Sequence, residues 1–278
     1  MLSPLRYPGS KVDFVQTVDK ILRGAKITGL PMYEPYAGSA AVSIGLVESG
    51  AVKRATIRER DPLLYAFWKC VFENPDDLLV RFQDLPITMD TWHAMRPWLK
   101  VEEVTKSNVV DLGLAGLFFN RANFSGILLG GPIGGMQQKS QYPIDCRTNK
   151  DDIISRILAI AAFADQLTVE FGDALDLIEE HRRKKNVFFY VDPPYFNKGE
   201  LLYRHFYRHG DHKRLAAALK NAKFPWVLSY DVHHVIEFLY EDFTVRHHTF
   251  QYSARSPKTN DELLIANFEL PADLDDWT

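Results

Sequence analysis

Apolar and polar positions along the chain change period twice, which divides it into three stretches. In the first, Leu30-Pro31-Met32-Tyr33-Glu34-Pro35-Tyr36 reads as a buried strand, and Ala37-Gly38-Ser39-Ala40 as a small-residue turn. Ala41, Ile44, Gly45 and Val47 then recur at helical spacing, with Ser39 placed to cap that helix and Gly50 to stop it. Val52 to Arg58 reads as a second strand closed by Glu59. Strand, glycine turn, helix and strand in that order predict the βαβ unit of a doubly wound sheet.

From Asp61 to about Asp165 the period becomes helical. Leu63, Leu64, Phe67, Cys70 and Val71 make one face, and Ile153, Ile154, Ile157, Leu158 and Ala161 make another. Between them runs a turn-rich loop, Gly126 to Tyr142, centred on Gly130-Gly131-Pro132-Ile133-Gly134-Gly135. Loops of that length are usually functional. Strand and helix alternate again afterwards: strand Leu167 to Phe171, helix Asp173 to Lys184, and the continuous apolar run Val187 to Val191 of a central parallel strand. Helix Asp211 to Asn221, strand Trp226 to Ser229, helix Val232 to Tyr240 and a hairpin of Phe243 to Tyr252 with Glu262 to Leu270 complete the pattern. It predicts an α/β sheet formed by residues 1–60 and 166–278, interrupted by a mainly helical insertion over 61–165.

Composition narrows the function classes without choosing one. The 278 residues are 46% apolar and 25% charged, as in a globular chain. Lys and Arg total 33 against 36 Asp and Glu, so bulk charge does not suit a polyanion coat, although a local basic face is compatible with the total. The two cysteines, Cys70 and Cys146, are too few for a disulfide framework, and Cys70 falls on an apolar helix face. No apolar run reaches the ~18 residues of a membrane span, and the start has no signal-peptide core. A cytoplasmic location is expected.

Candidate chemistry concentrates in three places. Asp192-Pro193-Pro194-Tyr195 directly follows the most apolar strand, at the carboxyl end where open α/β sheets bind ligands. Its two prolines stiffen the loop and leave carbonyl oxygens without neighbouring amide competition. A carboxylate, a backbone acceptor and a ring face suit a flat heterocycle with an exocyclic amine; the alternative is an ordinary Pro-Pro turn with a surface aspartate. Glu34-Pro35-Tyr36-Ala37-Gly38-Ser39-Ala40, with Glu59 ending the next strand, offers a close-approach glycine and an acid for ribose hydroxyls. It contains no G-x-G-x-x-G, so it poorly serves a dinucleotide pyrophosphate, and plain βαβ packing explains it equally well. Arg6-Tyr7-Pro8-Gly9-Ser10-Lys11, taken alone, is an entry turn with a solvated lysine.

In this order, and with the insertion in this place, the chain resembles the Dam-type, α-class, adenine-specific DNA methyltransferases. The resemblance spans nearly the whole chain. It takes in Tyr7-Pro8-Gly9-Ser10-Lys11, Glu34 to Gly38, Phe119-Asn120-Arg121 running to Phe124-Ser125-Gly126, Phe171-Gly172-Asp173, Asp192-Pro193-Pro194-Tyr195, and Glu262-Leu263-Leu264-Ile265. It implies a Rossmann-like sheet that binds S-adenosylmethionine, with the insertion as target-recognition domain. It further implies Tyr7, Gly9 and Lys11 closing over the donor, Glu34, Pro35, Ala37 and Gly38 along its methionine and ribose, Glu59 on the ribose hydroxyls, and Asp173 with Ala174 at its adenine. The acceptor it implies is the 6-amino group of an adenine flipped from double-stranded DNA, held by Asp192 and the Pro193 and Pro194 segment and stacked on Tyr195. By the same resemblance Asn120, Arg121, Asn123, Phe124, Ser125 and Ile127 stand at the DNA contacts, with Phe124 as base-stack wedge or, alternatively, helix-end core beside Phe118 and Phe119. Lys139, Arg147, Arg204, Arg208, Lys213 and Arg214 are candidates for the phosphate-binding face. The family needs no metal, and the spacing of His205, His209 and His212 has no carboxylate partner motif beside it.

Two departures bear on the target. Arg58-Glu59 stands where many relatives have Asn-Asp, and Ile127-Leu128-Leu129 follows Gly126 where many soon place an arginine, which puts a GATC target in doubt. Methylation of a cytosine amine or of RNA adenine, and a catalytically silent DNA-binding protein, stand as alternatives. Monomer or homodimer, a separate restriction nuclease as partner, and an orphan, restriction-modification or phage role are left open.

Overall fold

The computed structural model describes residues 3–6, 11, 14–197, 199–252 and 258–271, the side chains of 248–260 apart. In chain order the elements are α1 (Phe14–Gly24), β1 (Met32–Glu34), α2 (Ala41–Glu48), β2 (Ala55–Glu59), α3 (Pro62–Glu73), α4 (Asp76–Asp84), α5 (Met89–Met95), α6 (Val109–Ala122) and α7 (Lys150–Ala161). There follow β3 (Leu167–Phe171), α8 (Ala174–His181), β4 (Phe188–Val191), α9 (Gly199–Leu202), α10 (His209–Lys220), β5 (Trp226–Asp231), α11 (His234–Leu239), β6 (Thr244–Tyr252) and β7 (Lys258–Ala266). The seven strands form one sheet in the order β3-β2-β1-β4-β5-β7-β6. β1 to β5 run parallel, and β7 enters antiparallel between β5 and β6. This is the α/β, Rossmann-like sheet that the block pattern predicts, hairpin included.

Side-chain alternation builds two cores, one on each face of the sheet. Phe188, Tyr190, Val227, Leu264 and Ala266 point into the first, and Phe189, Val191, Leu228, Leu263 and Ile265 into the second. β4 is buried at all four positions, because it lies between β1 and β5 with helices over both faces. α1 puts Phe14, Val18, Ile21 and Leu22 into the first core at helical spacing. The inserted helices join the same core: Phe67, Trp68 and Val71 of α3, Phe118 and Phe119 of α6, and Ile153 and Ile157 of α7 cluster with Ile57, Leu167 and Val169 of the sheet. Cys70 is buried on α3, as its apolar face predicts.

Local chemistry shifts three boundaries. Pro31 and Pro35, which lack ladder donors, confine β1 to Met32–Glu34, shorter than the apolar run suggests. Ser39 does not cap α2: the cap position is Ala40, with φ 50° and no side-chain bond, and Glu34 takes the Ser43 N–H instead at 3.1 Å. α10 starts at His209 because the Asp211 carboxylate accepts the Arg208 N–H at 2.8 Å. His205 therefore precedes the helix, and His212 is not solvated: it is buried, with Nδ1 bonded to the Tyr230 hydroxyl. Among the described residues no group of His, Cys, Asp and Glu could hold a metal ion, and no helix is long and apolar enough to cross a membrane. The acidic stretch Asp273 to Asp276 lies outside the described residues.

Candidate active site

The strand order reverses between β1 and β4, and the loops at the carboxyl ends of strands separate there to leave a crevice. A cavity lies in it, lined by Lys11, by Glu34, Pro35, Ala37 and Gly38 after β1, by Glu59 at the end of β2, by Asp173 and Ala174 after β3, and by Asp192 and Pro194 after β4. Residues far apart in the sequence thus meet in one place. Tyr7 and Gly9 lie outside the described residues. Sequence reasoning missed Arg60, Tyr203, Phe206 and Tyr207 on the same walls, while Tyr36 stands there within the Glu34 to Gly38 motif. The aromatic spacing of 203–207, just past the Pro-Pro turn, is the signal that could have found the last three.

One end of the cavity is lined by carboxyl groups held by backbone amides. Glu59 accepts the Gly38 N–H at 3.1 Å on one oxygen and the Asp61 N–H at 2.8 Å on the other. Gly38 sits at φ 47°, where a side chain is strained, and its own carbonyl accepts from the Trp68 indole at 3.0 Å. Glu34, buried, bonds the Ser43 amide and hydroxyl. Asp173 caps α8 through the Leu175 N–H at 2.9 Å and pairs with Arg60 at 2.9 Å across the cavity mouth. Tyr36 and Tyr207 close the far wall, hydroxyl to hydroxyl at 2.7 Å. A carboxyl group has more lone-pair sites than these contacts use, so these acids keep acceptor capacity for hydroxyls and amines of a bound molecule.

Burial pushes the Glu34 carboxyl up to about 8 and the Glu59 carboxyl up to about 7, against partial relief from the amides they bind. A carboxyl whose folded value exceeds its unfolded one binds more protons in the native state, so stability falls as pH rises from the unfolded value to the folded one. Unfolding by urea is therefore expected to show a loss of about 2 kcal/mol of stability attributable to Glu59 between pH 5 and pH 7. Glu59→Gln, which keeps an acceptor, should flatten the profile over that window. Parallel profiles for the two proteins would refute it.

At the other end Asp192 leaves β4 with its side chain 22% exposed. Its Oδ1 accepts from the Ser229 hydroxyl at 2.7 Å, and Ser229 bonds the buried Tyr190 hydroxyl at 2.9 Å. Lys11 Nζ lies 3.4 Å from the same oxygen. Burial raises the Asp192 carboxyl, Lys11 opposes that, and Glu262 adds to it. Among the described residues no N–H donates to the Pro193 carbonyl, as the pair of prolines predicts. The turn is pinned just beyond: Asp231 accepts the Phe196 and Asn197 amides at 2.8 and 3.1 Å. Tyr195 does not line the cavity; its hydroxyl donates to Glu262 at 3.1 Å.

The expected DNA contacts divide sharply. Asn120, Arg121 and Asn123 are buried and spend their side chains on partners within the protein, which corrects their expected place on the DNA surface. Asn120 accepts the Arg6 N–H at 2.7 Å and donates to the carbonyls of Arg6 at 2.5 Å and Gly126 at 3.2 Å. Asn123 takes the Trp92 indole N–H at 2.8 Å and donates to the Leu128 carbonyl at 2.8 Å. Arg121 donates to the carbonyls of Pro4 and Arg147. They shape the 124–128 loop from beneath. On its outside Phe124 is 69% exposed, while Phe118 and Phe119 are core; Ser125 and Ile127 are half-buried. Lys139, Arg147, Arg208, Lys213 and Arg214 are exposed, Arg214 in an ion pair with Asp211. Arg204 is not on that face: its side chain is 9% exposed and pairs with Glu102 and, at 3.7 Å, with Asp61.

With this geometry the comparisons with known proteins can be placed. The chain matches the model of the D12 class N6 adenine-specific DNA methyltransferases over residues 7–253. No curated protein matches it. Among solved structures it is similar to the tRNA methyltransferase TrmK of B. subtilis (TM-score 0.39, 11% identity, covering 91% of this chain and 64% of that one). It is also similar to the precorrin-6y C5,15-methyltransferase of Geobacter metallireducens (TM-score 0.38, 12% identity, 92% of this chain and 88% of that one). A third is the M. capricolum TrmK in complex with S-adenosyl-homocysteine (TM-score 0.33, 8% identity, 88% and 66%).

Proposed function

The chain belongs to the D12 class N6 adenine-specific DNA methyltransferase family, and from that premise we propose that it methylates the exocyclic 6-amino group of an adenine presented out of the stack of double-stranded DNA. The methyl donor is S-adenosylmethionine, whose sulfonium makes the methyl group electrophilic. The cavity fits it because the carboxyl groups of Glu34, Glu59 and Asp173 line one end and face a ligand rich in hydroxyls and amines. Glu59 would hold the ribose hydroxyls, Asp173 and Ala174 the adenine edge, and Glu34 to Gly38 the methionine part.

The observation that carries the acceptor half is the pair of acceptors at the end of β4. Asp192 and the Pro193 carbonyl offer two oxygens on one stiff turn, and the Ser229 hydroxyl and Asp231 hold that turn in place. An aromatic amine is a poor nucleophile because its lone pair is delocalised into the ring. Two acceptors on its two hydrogens favour a pyramidal nitrogen and return the lone pair to it. That nitrogen would then accept the methyl group that the bound donor supplies from its sulfonium, which would leave as a neutral thioether, and the nitrogen would give up one proton toward Asp192. No group on the protein becomes covalently modified, so catalysis is positioning and fixed charge.

Tritiated methyl transfer to unmethylated genomic DNA, with the product nucleoside identified and sites mapped, tests the reading. Labelled methyladenine in DNA supports it; label in cytosine, or in RNA alone, replaces it with one of the other amine substrates. A second expectation concerns Phe124, whose exposed ring stands on the loop that Asn120 and Asn123 hold. An exposed ring that enters a base stack contributes to DNA engagement and not to donor binding. Phe124→Ala is expected to raise KM for DNA about tenfold with the donor Kd unchanged. Identical steady-state constants would remove the ring from the interface.

A further inference from the structure

The methyltransferase reading requires Asp192 to keep an oxygen for the substrate amine, yet a lysine stands beside it. Lys11 is buried, and its ammonium is 3.4 Å from Asp192 Oδ1. In a water-poor pocket an unopposed ammonium closes on the nearest carboxylate and takes over its lone pairs. What opposes it comes from the far end of the sequence. Glu262 lies on β7 opposite Asp231 of β5, in phase with Leu264 and Ala266, so its side chain turns to the same face of the sheet as those two core residues. An acid in phase with core positions is costly unless it is paired. Its two oxygens lie 2.7 and 2.6 Å from Lys11 Nζ, well inside the Asp192 distance, and one of them also accepts the Tyr195 hydroxyl at 3.1 Å. The same ammonium is 5.4 Å from the centroid of the Tyr195 ring.

We propose that Glu262 is a positioning residue of the methyl-transfer site: it draws the Lys11 ammonium away from Asp192 and holds the hydroxyl of Tyr195, so that one carboxylate oxygen of Asp192 stays available to the target base. The proposal rests on the function proposed above. The competition is visible in the distances: Glu262 has the two short contacts and Asp192 the long one. The ionisable groups around Asp192 are Lys11, Glu262 on β7, Glu34 on β1, Tyr190 on β4, Tyr203 after α9 and Tyr230 on β5. Burial raises the three tyrosines, so they stay neutral, and Glu262 is the negative charge that Asp192 feels most.

Glu262→Gln removes the charge while keeping an acceptor for Tyr195, and Glu262→Asp restores the charge. Full-length wild type and both variants are compared by donor Kd, by single-turnover methyl transfer to unmethylated genomic DNA across pH, and by ¹³C-carboxyl NMR titration of Asp192 assigned with Asp192→Asn. Glu262→Gln is expected to slow the transfer about tenfold or more, with donor Kd within about threefold, and to move both the acid limb and the Asp192 titration to lower pH. Glu262→Asp is expected to recover most of each. A wild-type rate in Glu262→Gln, or a slow enzyme whose Asp192 titration has not moved, overturns the proposal, the second because it marks a packing role alone. Absence of labelled DNA from the wild type is a failure of the substrate reading instead, and the Asp192 titration, which needs no turnover, still decides the role of Glu262.

Discussion

Replacing Asp192 with alanine is expected to slow methyl transfer by about 10³-fold or more, with donor affinity changed by less than about threefold. The size follows from what the side chain does. Asp192 is the acid on the stiff turn after β4, and Ser229 already orients it before any substrate arrives. Losing it removes an interaction that strengthens only as the amine gains positive charge, so the loss falls on the chemical step and not on binding. Asp192→Asn keeps the shape and the Ser229 contact but can turn an N–H toward the amine, and should be nearly as slow. The check is single-turnover tritium transfer with saturating donor, beside a separate donor Kd. A variant that loses donor binding and rate in the same proportion would assign Asp192 to the donor pocket; one that keeps its rate would remove the turn from the chemistry.

The parts of this protein that were legible in the sequence are those where chemistry and periodicity coincide locally. β4 is apolar at every position because it is central, and its carboxyl end is where an acid between rigid residues has a reason to be. Glu34, Gly38 and Glu59 could be read for the same reason: Glu34 and Glu59 each end a strand, Gly38 lies in the turn after one, and strand ends converge at the reversal of strand order. Two kinds of feature were not legible. Asn120, Arg121 and Asn123 look like nucleic-acid contacts by type, since amides and guanidinium groups read bases, but the same groups also satisfy buried carbonyls and amides. Nothing local tells the two uses apart; the apolar face of α6 on which they end buries them. Glu262 was visible only as part of a strand, because its meaning lies in Lys11, 251 positions earlier in the chain. Ser39 failed as a cap for a related reason: Glu34, on the preceding strand, supplies the helix-end acceptor that a local reading assigns to the nearest hydroxyl.

The buried amides lead to the second large effect. Gly126 sits at φ 76°, and a Cβ placed there would lie 2.3 Å from the Arg6 carbonyl oxygen, a backbone atom that cannot swing aside. That carbonyl is also held by Asn120, which binds the Arg6 amide and the Gly126 carbonyl as well. Residues 6, 120 and 126 are therefore one staple, joining the segment that leads to Lys11 with the loop that presents Phe124. Gly126→Ala has both a backbone conformation unfavourable to alanine and a clash to relieve, and the relief must move Arg6 or the loop. Asn120→Ala leaves a buried amide and two carbonyls without their partner. Each variant is expected to lose about 3 kcal/mol of stability, read as a lower urea midpoint with the slope kept. Methyl transfer to DNA should fall further than donor binding, since the staple holds the Phe124 loop and not the donor walls. The pair Gly126→Ala with Asn120→Ala should cost less than the sum, because either change alone already frees the Arg6 segment. Full additivity, or midpoints within about 0.5 kcal/mol of wild type, would mean that the two sides of the staple are held by something else, and that the alignment of the Phe124 loop with the Asp192 turn does not pass through residue 6.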